Sequence, residues 1–293
     1  MPELGDENFQ VLFIIGCVCL IVYGKLDMST VLFIDSGLGG LSVWREVSRL
    51  NHGLDYLYAF DNEYFPYGEK DDSVIVERCN RIVAAVTSRH VVDLVVVACN
   101  TASTVALPSL RANFDIPIVG VVPAIKPAAQ LTKTGVIGLL ATPATVARKY
   151  IDDLITEYAG NCTVIRVGSS ELVSIAEEKM KSGTVDKEAL ADCLSEFKNN
   201  PDVDTVVLGC THFPWLRSEI EKELTSRIRC VDSGHAIARR VNSLLNGIEK
   251  GGNSVPKNSL AFMTNSKTAD FSKYQAVFSR AGFVSLEELK ITG

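Results

Sequence analysis

Two short runs place a thiol where it can move a proton: VVVACNTAS, with Cys99 before Asn100 and Thr101, and VVLGCTHFP, with Cys210 before Thr211 and His212. Each cysteine closes a β-branched apolar stretch of the kind that forms a buried parallel strand. In open α/β sheets the crevice beyond the carboxyl ends of such strands is where ligands bind. One cysteine there is a candidate nucleophile. Two in like settings, 111 residues apart, suit a reaction that needs the same group on both sides of one substrate. A thiol works as a base only when its environment tunes it, because the thiolate is the reactive form and a free cysteine titrates near about 8.5. His212, two residues beyond Cys210, and Asp35, at the end of another strand, are neighbours that can hold, accept or return the proton.

Two further loops bear on the same crevice. Asp35 to Gly40 (DSGLGG) reads as strand, glycine-rich turn and helix, a geometry that points backbone N–H groups at an anion. Ser42 stands where a dinucleotide fingerprint starting at Gly37 needs glycine, and the Gly-Lys-Ser/Thr of a P-loop is missing, so a small carboxylate is the better fit. The turn Phe65-Pro66-Tyr67-Gly68, after Asp61-Asn62, offers backbone N–H groups and a phenol to the same ligand. No metal is expected: the chain has no HExxH and no CxxC, and a Cys-x-His pair alone falls short of a closed zinc site.

The elements that must position these residues alternate. Strands are expected at Val31–Ile34, Leu57–Phe60, Leu94–Ala98 and Ile118–Val121, with a helix over Asp72–His90 in which Ile75, Cys79, Ile82, Val83 and Val86 recur at helical spacing. Pro123 and Pro127 then interrupt the pattern and mark a crossing. Strands at Val136–Leu140, Thr163–Val167 and Thr205–Leu208 follow, with helices over Thr145–Ala159, Ser170–Lys181 and Asp186–Lys198. A strand at Ile228–Val231, a helix over Gly234–Leu245, a loop at 251–256, a strand at Leu260–Thr264 and a helix over Asp270–Ala281 complete the chain. In each half the first strand runs into a polar loop and a later strand into a cysteine motif, at offsets of 106 and 111 residues. The expected fold is α/β: two pseudo-symmetric lobes, each a mainly parallel sheet flanked by helices, with the active site between them. Residues 30–121 plus 230–293 form the first lobe, carrying Asp35 and Cys99; residues 122–229 form the second, carrying Cys210 and His212; residues 1–29 form an extension.

The chain has 293 residues, 47% of them hydrophobic, which excludes a disordered protein. A net charge of −6 with no Lys/Arg block argues against nucleic acid as the partner. Eight cysteines without a CxxC pair imply free thiols in a reducing compartment, hence the cytoplasm. The apolar run Val11 to Tyr23 is about 13 residues against the roughly 20 a spanning helix needs. Glu3, Asp6 and Glu7 precede it in place of the basic residues of a signal peptide, so no stable membrane anchor is expected. Met28, just before the first convincing strand, offers a start for the globular part.

Taken in order and spacing, DSGLGGLSV, DNEYFPYGEK, VVVACNTAS, PIVGVVPAIKPA, GLLATPATV, VVLGCTHFP and VDSGHAIARR resemble the glutamate racemases of the cofactor-independent aspartate/glutamate racemase superfamily, over about Val31 to Val241. The resemblance implies interconversion of L- and D-glutamate without cofactor, the D-isomer feeding bacterial cell-wall peptidoglycan and so cell shape. It implies that Cys99 and Cys210 are acid/base residues on opposite faces of Cα, assisted by Asp35 and His212. Asp35, Ser36, Tyr67, Gly68, Asn100, Thr101, Thr211 and His212 would bind substrate, with Asp61, Thr145 and Glu177 at further polar positions of the family. Glutamate is then the small-molecule partner, a cell-wall precursor the activator associated with longer N-terminal extensions, and a homodimer the assembly considered. The competing readings are a racemase for aspartate or another acidic amino acid, a catalytically silent binding or regulatory module, and a redox role for the thiol pair.

Overall fold

The computed structural model describes residues 12–15, 18–21, 29–224, 227–245, 259–265, 267–268 and 270–291. Of the apolar run 11–23, β1 (Leu12–Ile15) and β2 (Val18–Ile21) pair antiparallel. The rest of the extension, Met28 and the loop expected at 251–256 lie outside the described residues.

Among the described residues twelve strands make three sheets. The largest is built from β3 (Thr30–Asp35), β4 (Asp55–Phe60), β5 (Leu94–Val97) and β6 (Ile118–Gly120), while a second sheet takes β7 (Val136–Ala141), β8 (Thr163–Gly168), β9 (Val203–Leu208) and β10 (Arg229–Val231). The chain then returns to the first sheet with β11 (Leu260–Met263) and β12 (Ser285–Glu288). The first sheet runs β12-β11-β4-β3-β5-β6 and the second β10-β9-β7-β8, every pairing in both being parallel.

The reason for two-sided apolar strands is visible in β3 and β5. Val31, Phe33, Leu94 and Val96 enter one core, with the helices Leu41–Leu50, Gly234–Leu245 and Phe271–Ala281; Leu32, Ile34, Val95 and Val97 enter the other, under the helix Asp72–Thr87. A strand with helices on both faces alternates between two dry layers, which is why its sequence reads as continuous apolar rather than apolar-polar. Each such side chain contributes about 1.5–3 kcal/mol by leaving water. The second sheet repeats the arrangement, with Leu140, Val206 and Leu208 on one face and Ile137, Leu139 and Val207 on the other.

Register then sets the chemistry. Ile34 pairs Val97, so Asp35 and Cys99 leave neighbouring strand ends; Leu140 pairs Leu208, so Thr142 and Cys210 do the same in the second sheet. The chain crosses between the sheets after β6 and again after β10, and the Ser233 hydroxyl donates to the Val122 carbonyl where the two crossings run side by side.

Three expectations change. Residue 230 belongs with the second sheet, because Arg229–Val231 pairs with Thr205–Val207; the return to the first lobe starts beyond it. The helix expected over Thr145–Ala159 is two, Pro143–Val146 and Lys149–Tyr158, broken where Arg148 takes an extended conformation (φ −81°, ψ 139°) and its guanidinium pairs Asp72 at 2.7 and 3.0 Å. Past the last expected helix, β12 adds a parallel edge strand to β11. Its residues, SLEE, carry one buried apolar side chain, Leu286, too weak a pattern to read as a strand.

Candidate active site

The ends of β3, β5 and β9 bring Asp35, Cys99 and Cys210 together in a buried cluster. Asp35 and His212 are each 2% exposed, Cys99 6% and Cys210 7%. Cys99 caps the helix Asn100–Val105, its Sγ accepting the Ala102 N–H at 3.5 Å. Burial pushes this thiol well above its ordinary range, the Asp35 charge pushes the same way, and the Ala102 N–H opposes them. Cys210 is among the charges that act on Cys99, as expected of strand ends that meet.

The glycine-rich turn departs from expectation. Its N–H groups are engaged by the protein's own carboxylates. Ser36 N–H donates to Asp35 Oδ1 at 2.7 Å, Gly40 N–H donates to Asp35 Oδ2, and Leu38 N–H donates to Glu177 Oε2 at 3.1 Å. Gly40 is required here, since a Cβ would come within 2.8 Å of both Ala98 Cβ and Asp35 Oδ2. Asp35 Oδ2 also accepts the Thr211 hydroxyl at 3.2 Å, so this carboxylate belongs to both lobes. Burial raises the Asp35 carboxyl; the His212 charge, the Ser36 and Gly40 N–H groups and the Cys99 thiol hold it down in part.

On the other side, His212 Nδ1 lies 3.8 Å from Cys210 Sγ, and its Nε2 lies 2.7 Å from Glu177 Oε2. Burial alone would lower the imidazole, but its hydrogen bonds to Cys210 and Glu177 and the charge of Glu177 win, holding it well above its ordinary value. The ring is thus biased toward the imidazolium, which can give a proton to the sulfur beside it and, as imidazole, take one back. Phe65 of the loop after β4 shields the ring, with centroids 5.8 Å apart.

The remaining expected residues divide. Thr101 lies 3.1 Å from Thr142 and 3.3 Å from Thr145 by hydroxyl oxygens, and Thr142 donates to Thr145 at 2.9 Å, a triangle of hydroxyls across the two lobes. Asn100 Oδ1 is buried with no hydrogen-bond partner among the described residues, in the lining of a cavity of about 30 Å³ shared with Cys210 and Thr211. Gly68 packs on Thr142, where a Cβ would come to 2.9 Å. Ser36 stays on Asp35.

Asp61 and the Tyr67 phenol are engaged with each other and with the protein. Tyr67 donates its hydroxyl to Asp61 Oδ2 at 2.8 Å, Arg78 grips both Asp61 oxygens at 2.7 and 2.8 Å, and Thr264 donates to Oδ1 at 2.7 Å. Asp61 therefore fixes the loop Asn62–Glu69 from beneath, and Tyr67 has its backbone, not its phenol, to offer a ligand. Because the pair is buried, losing one member strands the other charge. Arg78→Met is expected to cost about 3–5 kcal/mol, seen as a lower urea midpoint at unchanged slope; an unchanged midpoint would refute the role.

Sequence reasoning missed Thr142 and placed Glu177 only by resemblance. Both had a signal. Thr142 stands 106 residues after Ser36, the offset of the repeated loops. Glu177 falls between Val173 and Met180 at helical spacing, on the buried face of the helix Glu171–Ser182, where a carboxylate needs a partner.

Comparison with known proteins agrees with this geometry. The family model for Asp/Glu/Hydantoin racemase matches residues 32–241. The glutamate racemase of Salmonella typhimurium (strain LT2) is 49% identical over 290 residues, spanning 99% of both chains, and that of Glaesserella parasuis serovar 5 is 46% identical over 260 residues, 89% of this chain and 97% of the relative. Among solved structures, Escherichia coli glutamate racemase in complex with L-glutamate and the activator UDP-MurNAc-ala superposes with a TM-score of 0.84 at 48% identity, covering 91% of this chain and 100% of that one. Glutamate racemase from Aquifex pyrophilus gives 0.67 at 30% identity, with 89% and 98% covered. Two parallel sheets meeting at paired cysteines, matched over most of the chain, make this protein a member of the Asp/Glu/hydantoin racemase family.

Proposed function

We propose that this protein interconverts L- and D-glutamate, with Cys99 and Cys210 exchanging the Cα proton on opposite faces of the substrate. The observation that carries the reading is the pair of buried thiols on strand ends of two separate sheets, each beside its own acid/base group. Inverting a stereocentre by deprotonation requires removal from one face and delivery to the other. As the Cα–H bond breaks, its proton forms an S–H bond on one cysteine, and the electron pair stays on the planar carbanion. The second cysteine then gives its own S–H proton to the opposite face and is left as thiolate. The next turnover in the reverse sense restores the start.

In the ligand-free chain Cys99 is held as the thiol by burial and by Asp35, which makes it the donor of the resting pair. Cys210 takes the other face, with the His212 ring 3.8 Å from its sulfur and held in turn by Glu177. The α-ammonium of glutamate brings a positive charge against Asp35 and the Asn100 oxygen, which favours the carboxylate and, on the return stroke, a thiolate at Cys99. Ser36, Thr101, Thr145 and Thr211, with the backbone of Tyr67 and Gly68, supply donors for the two carboxylates, and their fixed placement in a dry site stabilises the carbanion more than water would.

The D-isomer so made supplies bacterial peptidoglycan. We place the work in the cytoplasm, where the free thiols of Cys79, Cys99, Cys162, Cys193, Cys210 and Cys230 persist; among the described residues no helix is long and apolar enough to cross a membrane. A cell-wall precursor of the kind bound to the E. coli enzyme is the activator to test. The deciding experiment incubates the purified chain with each enantiomer of glutamate, and separately aspartate, in D₂O, with and without that precursor, following α-deuterium by NMR and chirality by circular dichroism. Deuterium and loss of optical activity with glutamate are expected from either side. Neither, from either enantiomer, sinks the reading, and a preference for aspartate would replace it.

A further inference from the structure

Trp215 stands three residues beyond His212, in the turn Phe213–Leu216, and its backbone N–H donates to the His212 carbonyl at 3.1 Å. Its side chain leaves the lobe that carries it. The indole packs against the core of the six-stranded sheet, its Nε1–H donates to the Gly39 carbonyl at 3.2 Å, and the Arg45 guanidinium lies over the ring, 4.7 Å from its centroid. The base of the residue is held as firmly: its carbonyl accepts Lys179 Nζ at 2.7 Å, and that ammonium is gripped by both Glu219 oxygens at 2.8 and 2.7 Å.

What the indole holds is the residue pressed hardest on the histidine. A Cβ on Gly39 would come within 2.4 Å of His212 Nδ1, the nitrogen that faces Cys210. Gly39 therefore forms one wall of the slot in which the ring sits, and the position of that wall is set from the other lobe. Space-filling alone would not need the donor: Trp44, the other of the two tryptophans in the chain, has a buried Nε1 with no hydrogen-bond partner among the described residues.

We propose that Trp215 is a positioning residue for proton transfer at Cys210: its indole N–H holds Gly39 against the His212 ring and so keeps that ring in line with the thiol. The inference rests on the racemase reading above. It singles out one of the two transfers, because among the described residues no comparable clamp bears on Cys99, whose sulfur is held by the Ala102 N–H of its own helix.

Two measurements on the full chain test it. In a Trp44→Phe variant Trp215 supplies the single indole N–H resonance, and in the ligand-free protein its exchange with water is expected to be slowed at least about tenfold against a free indole, as for a hydrogen bond that opens only by local unfolding. Exchange at the free rate overturns the clamp, whatever the substrate. The second variant, Trp215→Phe, keeps an aromatic ring under Arg45 and removes the N–H together with the smaller part of the indole. It is expected to lower kcat about tenfold through misplacement of the ring, with little change in the thermal midpoint.

The two enantiomers are equal in energy, so kcat/KM must fall equally from both sides. Primary isotope effects with α-deuterated L- and D-glutamate are not so bound. With only the Cys210 transfer slowed, the effect rises for the enantiomer whose Cα–H faces Cys210 and falls for the other. Unchanged kcat, or isotope effects that move together, would overturn the proposal. Absence of glutamate racemisation in the wild type would instead sink the racemase reading, and the exchange measurement would still decide whether Trp215 holds Gly39.

Discussion

Alanine at either Cys99 or Cys210 is expected to lower racemisation by about 10²- to 10⁴-fold, the loss typical of a missing general acid or base, while leaving half of the chemistry intact. A site with one thiol can still remove and return the proton on its own face. That thiol exchanges with solvent between the two events. In D₂O, Cys99→Ala should therefore wash deuterium into one enantiomer of glutamate without inverting it, and Cys210→Ala should do the same to the opposite enantiomer. Both side chains are small and nearly buried, so loss of the sulfur leaves a modest cavity and the fold should survive. Mirror-image exchange without inversion is the signature of two bases on opposite faces. Normal racemisation by either variant, or exchange into the same enantiomer by both, would remove the two-base assignment.

Glu177→Gln carries the second large effect. Glu177 Oε2 lies 2.7 Å from His212 Nε2 and is a principal reason that the imidazole stays protonated despite burial. An amide keeps the volume and removes the charge. The His212 pKa should fall when its opposite charge is lost, and kcat should drop about 10²-fold with the loss of the imidazolium as proton carrier. The sign follows from which form works. If His212 acts protonated, activity is lost as pH rises through its pKa, so the alkaline limb of the kcat profile moves to lower pH in the variant.

Stability gives an independent check of the same sign. A histidine whose pKa is raised by folding adds stability that is full below its unfolded value of about 6.5 and is lost as pH rises through the folded value. The margin of wild type over Glu177→Gln in thermal midpoint should accordingly be widest in acid and shrink toward alkaline pH. An alkaline limb that stays in place would mean that Glu177 is structural only.

Much of this site was legible in the sequence. Cys99 and Cys210 could be read because continuous valine runs announce buried parallel strands, and a parallel sheet delivers its strand ends to one edge. Asp35 and His212 followed by position. Less legible was who satisfies whom. The turn Asp35–Gly40 shows from sequence alone that N–H donors converge, but the acceptors proved to be Asp35 itself and Glu177, the latter 139 residues away from its donor Leu38. Arg78 is the same lesson in the core. It shares the helical face of Ile75, Cys79 and Ile82, so a buried anion was implied, and only the packing of β4 and β11 shows it to be Asp61 rather than any of the other carboxylates nearby. The break at Arg148 was hidden for a related reason, because the partner its guanidinium takes there is Asp72, in the opposite lobe.

The two crossings between the lobes have a mechanical meaning. They leave from β6 and β10, the edge strands of the two sheets, and the Ser233 hydroxyl fastens them together at Val122. Two sheets joined along one edge turn like the covers of a book about its spine. A substrate must reach thiols that are almost wholly buried, so the covers must part, and every strand end then moves in proportion to its distance from that line. Cys99 and Cys210, on the strands next to the spine, move little; the loop after β4, the fourth strand from that edge, moves farther. The acid/base pair is kept in near-fixed opposition, while the Arg148–Asp72 bridge, farther from the spine, bears a wider swing.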